Sequence, residues 1–230
     1  MAAEVVTNDA LPMVPAELCP DVDHLVTEDD APVDNVYSEK QQRLLTEPLY
    51  SSWSGPGAGR SFVAMANVGV FYSPRRPPLV PDMLLSLDVE LPEDLWPKAH
   101  RSYFTWLYEK PPDVVVEVVW NREGGEESAK LATYARIGVR YYVIFDPERL
   151  LGPEALRAYR LEALTFHKMD QPVWFPDVGL GLQIWHGRYE DHENTWLRWQ
   201  DREGRVIPSG KERAERLAEQ LRRLGVEPQA

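Results

Sequence analysis

The sequence predicts a mixed α/β fold, a β-sheet flanked by helices. Three stretches carry that prediction. VVVEVVW (114–120) is a run of valines long enough for a strand buried on both faces. Residues 126–137 follow with helical spacing of Leu131, Tyr134 and Ala135, and Gly138 stands where the helix can end. RYYVIFDP then reads as a second buried strand. The order strand, strand, helix, strand, then more strands suggests a mixed sheet flanked by helices.

The remaining elements follow in chain order. Residues 1 to about 34 are acidic and Pro-containing, without a sustained period, and read as a tail or loosely packed arm. Ser38 stands at an N-cap position before a helix whose apolar face includes Leu44 and Leu45 and which Pro48 is expected to stop. SGPGAGRS (54–61) reads as a turn; it lacks the Lys-Ser/Thr ending of a phosphate-cradling loop. FVAMANVGVFYS (62–73) and MLLSLDVEL (83–91) read as strands, joined by a Pro-rich connector. An insertion with Tyr103, Phe104, Trp106 and Tyr108 precedes the valine strand. After residue 147 come LRAYRLEALTFHKM, VGLGLQIWHGRYED and TWLRWQDREG, which read as β-hairpins. Ser209 is a second N-cap candidate, opening a helix with Ala214, Leu217, Leu221 and Leu224 at helical spacing. The expected division is an acidic arm (1–30), a main domain (31–204) and a C-terminal helix and tail (205–230).

Composition bounds the function. The chain has 230 residues, 43% hydrophobic, enough for a substantial core. A single cysteine, Cys19, rules out an intrachain disulfide or a Cys-based metal cluster. No run approaches the ~20 apolar residues of a membrane span, and the first residues lack a secretory pattern, so a cytoplasmic protein without a membrane partner is expected. The net charge of -12 argues against nucleic acid until its distribution is seen. Residues 1–39 hold ten acidic and no basic residues, leaving 27 acidic and 25 basic in the rest. A nearly neutral body can carry a local basic groove. Arg75, Arg76, Lys98, His100, Arg101 and Lys110, with aromatics between them, could track a phosphate backbone or be solvated loop charges. The five histidines show no metal-ligand spacing.

Glu117 is the informative position, because a carboxylate inside a valine strand is costly to bury without compensation. Asp82 begins the preceding strand, so the two carboxylates can converge where the strands lie side by side. Paired carboxylates repel unless a proton or cation lies between them. With the Val118 carbonyl they make an all-oxygen set suited to Mg²⁺ or Mn²⁺. Lys130 borders the core-facing stripe of its helix and can reach towards the strand ends. Taken singly, Asp82 is an ordinary Pro-Asp turn and Lys130 an i,i+4 partner of Glu126.

Together, Pro-Asp before a strand, PDVVVEV, a helix with Lys and Tyr-Ala-x-x-Gly-Val, and YYVIFDP closely resemble the putative restriction endonuclease (Uma) family of the PD-(D/E)XK nuclease superfamily. The resemblance covers roughly residues 30–200. It implies a restriction-endonuclease-like mixed sheet, here with extra C-terminal hairpins and a terminal helix. It also implies Mg²⁺-dependent hydrolysis of DNA phosphodiesters, with Asp82 and Glu117 as metal acids and Lys130 as catalytic lysine. Val119 stands where the superfamily motif expects its lysine, so Lys130 would act from the helix instead. Ala129 replaces an acid, a charge Glu126 could supply; Arg122 could contact phosphate and Glu39 serve as an outer ligand. DNA is the implied partner, with a homodimer as a further expectation. The competing expectation is a nuclease-like fold acting only as a nucleic-acid or protein interaction module. A carboxylate-pair hydrolase of sugars is a third.

Overall fold

The structure, a computed structural model, describes residues 14–27, 35–57, 59–122 and 125–228. Most of the expected acidic arm, including its boundary at residue 30, lies outside the described residues, as do Glu123 and Gly124 of the turn after Trp120.

Helix α1 (Val36–Ser52) opens the described body, followed by β1 (Phe62–Ala66), β2 (Val70–Phe71), β3 (Met83–Leu87), β4 (Tyr103–Phe104) and β5 (Val114–Val118). A single wide turn of π-helix (Glu126–Lys130) runs into α2 (Leu131–Ile137). Then come β6 (Tyr141–Phe145), β7 (Leu156–Glu162), β8 (Thr165–Lys168), β9 (Val173–Phe175), β10 (Leu180–Tyr189), β11 (His192–Gln200) and α3 (Gly210–Arg223). The main sheet has the order β1-β3-β5-β6-β7-β8; β9, β10 and β11 form a second sheet, and β2 and β4 a short parallel pair.

Only β5 and β6 run parallel in the main sheet, joined by the π turn and α2. Gly138 ends α2 at φ 89, a conformation that favours glycine. Both central strands are buried along their whole length, as expected of a strand covered on both faces. Their alternation divides the core in two. Val114, Val116 and Val118 pack with Leu45 and Leu49 of α1 and with Phe175 and Trp199 of the second sheet. Val115 and Val119 pack with Tyr134 of α2, Tyr142 and the aromatics of the insertion. Because side chains alternate in a strand, Glu117 belongs to the α2 face.

Several elements differ from the sequence expectation. Asn35, not Ser38, caps α1, its side chain accepting the Ser38 amide at 2.9 Å. Pro48 does not stop the helix, which continues to Ser52; within it the Leu45 carbonyl also accepts the Trp199 indole N–H at 2.7 Å. The stretch 62–73 breaks into β1 and β2 at Asn67, which has φ 54. The next strand ends at Leu87, before Asp88 with φ 59. Residues 14–27 are not a free tail: Val22 and Leu25 are buried against the insertion, and the Val14 amide donates to the Leu107 carbonyl at 3.3 Å. The C-terminal hairpin β10–β11 belongs to its own sheet, whereas β7–β8 extends the main one. Ser209 caps α3 as expected, with Glu212 completing a reciprocal capping box. Leu217, Leu221 and Leu224 remain exposed.

Candidate active site

Strand pairing puts the sequence candidates at one end of the sheet. Met83 pairs with Val116, so Asp82, just before β3, lies beside the end of β5. One carboxylate oxygen, Oδ2, accepts the Val118 amide at 2.8 Å. The other, Oδ1, accepts Gln42 Nε2 at 2.8 Å and the Ser38 hydroxyl at 3.3 Å. Asp82 is thus held between α1 and the end of the central strand. Burial pushes its carboxyl up; the Val118 amide, Gln42, the Lys130 charge and Ser38 oppose that.

Glu117 is 1% exposed. Lys130 Nζ lies 2.8 Å from its Oε2, and the Tyr134 hydroxyl donates to its Oε1 at 2.8 Å. Lys130 and Tyr134 are four residues apart, so successive helical turns present both donors on one face. That face meets the side of β5 to which Glu117 points. Burial pushes the Glu117 carboxyl up to about 7; the Lys130 charge opposes the shift and the Asp82 charge adds to it. Burial alone would lower the Lys130 ammonium, but Glu117, Glu126 and Asp82 more than offset it.

Asp82, Glu117, Val118, Lys130 and Glu126 therefore come together. Glu126 is 6% exposed, with Oε1 3.7 Å from Lys130 Nζ. Val118 meets Asp82 through its amide. Glu39 is not brought in; it is half exposed and pairs with Arg43 at 2.7 Å, which also binds Glu190. Arg122 is exposed, beyond the end of β5. Of the basic residues near the insertion, Lys110 pairs with Asp113 at 2.5 Å, Lys98 donates to the Asp23 carbonyl and Arg101 to the Trp96 carbonyl. Arg75 and Arg76 stay exposed. Ser38, Gln42 and Tyr134 were missed by sequence reasoning as site residues. A signal existed for the first two: Ser38, Gln42, Leu45 and Leu49 form one helical stripe at offsets of four, seven and eleven.

Among the described residues, no three His, Cys, Asp or Glu side chains cluster as a ready-made metal cage. Two carboxylates nonetheless fit Mg²⁺, which is commonly held by one or two carboxylates together with water and substrate phosphate.

The sequence profile of the Uma2 family, described as putative restriction endonuclease, matches residues 29–183. No curated protein matches the chain. No helix among the described residues is long and apolar enough to cross a membrane.

Proposed function

Because this chain belongs to the Uma2 putative restriction endonuclease family, within the PD-(D/E)XK-like nuclease superfamily, we propose that it is a Mg²⁺-dependent endonuclease hydrolysing DNA phosphodiester bonds. The observation that carries the reading is the buried Glu117 beside Asp82, with Lys130 Nζ 2.8 Å from its carboxylate. Asp82 and Glu117, with the Val118 carbonyl, would hold the ion. When bound, Mg²⁺ polarises the phosphodiester and lowers the pKa of a coordinated water.

The chain's own groups do the rest. Gln42, Ser38 and the Val118 amide fix Asp82, and Tyr134 fixes Glu117. In the hydrolysis the water oxygen forms a new bond to phosphorus, one ester P–O bond breaks and the leaving oxygen takes up a proton. The Lys130 ammonium supplies positive charge for the developing phosphorane oxygens. Arg122, exposed beyond the strand end, would contact the flanking phosphate.

The test is cleavage of plasmid DNA with Mg²⁺ or Mn²⁺ by the native chain and by Asp82→Asn, Glu117→Gln and Lys130→Met. Each variant is expected to lose at least ~100-fold in rate, the scale of removing a preorganised charge-stabilising group. Full cleavage in EDTA, or by any of the three variants when folded, overturns the assignment.

A further inference from the structure

Glu126 Oε2 is buried and has no hydrogen-bond partner among the described residues. A desolvated carboxylate oxygen left unpaired is unfavourable, so its retention calls for a physical reason. Lys130, one turn on in the same helix, has its Nζ 3.7 Å from Glu126 Oε1 but 2.8 Å from Glu117 Oε2. The ammonium thus sits on one acid within reach of a second.

We propose that Glu126 is a positioning residue that receives the Lys130 ammonium when a divalent cation occupies the Asp82–Glu117 site. This rests on the metal reading above. The ammonium and a divalent cation compete for the same Glu117 carboxylate, and like charges so close repel. Tyr134 already donates to Glu117 Oε1 and takes one of that oxygen's two lone pairs, so little of this carboxylate is left for both cations. Glu126 offers the alternative. Its side chain is on the same helix, its unpaired oxygen is buried, and its Oε1 already lies 3.7 Å from the ammonium. Lys130 would then remain beside the site while leaving Glu117 to the metal. Glu126 acts through Lys130 and does not itself ligate the ion.

The test is calorimetric titration of Mg²⁺ into the native chain, Glu126→Gln, Lys130→Met and the double variant, with folding checked by near-UV circular dichroism. Glu126→Gln is expected to weaken Mg²⁺ binding about tenfold, the lower end of what supporting partners of metal ligands contribute. Lys130→Met is expected to tighten it, and in that background Glu126→Gln should lose most of its effect. An equal loss with and without Lys130 would make Glu126 a direct ligand and overturn the proposal. So would unchanged Mg²⁺ affinity in Glu126→Gln. If Lys130→Met does not fold, the Lys130 ammonium ¹H–¹⁵N signal decides: at saturating Mg²⁺ it should reach a different position in the native chain than in Glu126→Gln. Mg²⁺ binding by the native chain with no such difference overturns only the Glu126 role; no Mg²⁺ binding at all overturns the metal reading beneath it.

Discussion

The Tyr134 hydroxyl donates to Glu117 Oε1 at 2.8 Å, joining a helix to the one acid inside the central strand. Both residues are buried. Removing the hydroxyl leaves that oxygen unsatisfied in a low-dielectric environment. Tyr134→Phe is expected to cost ~1–3 kcal/mol, the penalty of stranding a buried acceptor. Urea denaturation of the two proteins checks it; equal midpoints would show that the hydrogen bond contributes nothing.

The Glu117 carboxyl also sets a pH dependence. Burial, with the Asp82 charge, raises it to about 7 from an ordinary 4.5. Between those values the folded state holds a proton that the unfolded state has released. Stability in the metal-free protein therefore falls as pH rises through that window, and the penalty is complete above it. Glu117→Gln removes the titration. The stability of the variant relative to the native chain is expected to climb from pH 4.5 to 7 and level off, which thermal melts across that range, in EDTA, will show. A flat difference would contradict the raised carboxyl.

Asp146 and Arg157 form a buried ion pair at 3.3 Å, at the ends of neighbouring strands β6 and β7. Asp146 also accepts the amides of Leu150 and Leu151 at 2.8 Å, so it stays fixed when the guanidinium is removed. Arg157→Met strands that carboxylate and is expected to destabilise by ~3–5 kcal/mol. Asp146→Asn with Arg157→Met should recover part of the loss, a double-mutant comparison by chemical denaturation.

Gly181 in β10 allows a close approach that no side chain tolerates. A Cβ there would lie 2.4 Å from the Val173 carbonyl oxygen and 2.9 Å from Gln200 Nε2. The first of these is backbone of the neighbouring strand and cannot rotate away. Gly181→Ala is expected to cost ~1–3 kcal/mol by overpacking, read as a lower denaturation midpoint. A midpoint equal to that of the native chain would show that the strand can shift.

Periodicity was enough to find β5, the helix after it and β6, because a double-covered strand must be apolar and a core-facing helix must repeat its apolar positions. It failed where local chemistry conflicts with packing. Pro48 reads as a stop, yet the helix continues to Ser52 with Leu44, Leu45, Pro48 and Leu49 buried. Asn67 interrupts an otherwise convincing strand because its positive φ is a backbone property that β-rich composition does not reveal. Val22 and Leu25 lie in an acidic stretch, and only the apolar insertion beneath them makes their burial favourable.

That Glu117 is an acid in a buried strand, and that Asp82 and Lys130 belong to elements able to reach it, is legible in the linear chain. Alternation and helical spacing are local, so a linear chain displays them. Tertiary structure decided which groups close the site: Gln42 and Ser38 on Asp82, Tyr134 and Lys130 on Glu117, and Glu39 turned away to Arg43. Those choices depend on strand register and on which helix face meets which sheet face. Both are fixed by burial across residues far apart in the chain, and no local pattern encodes them.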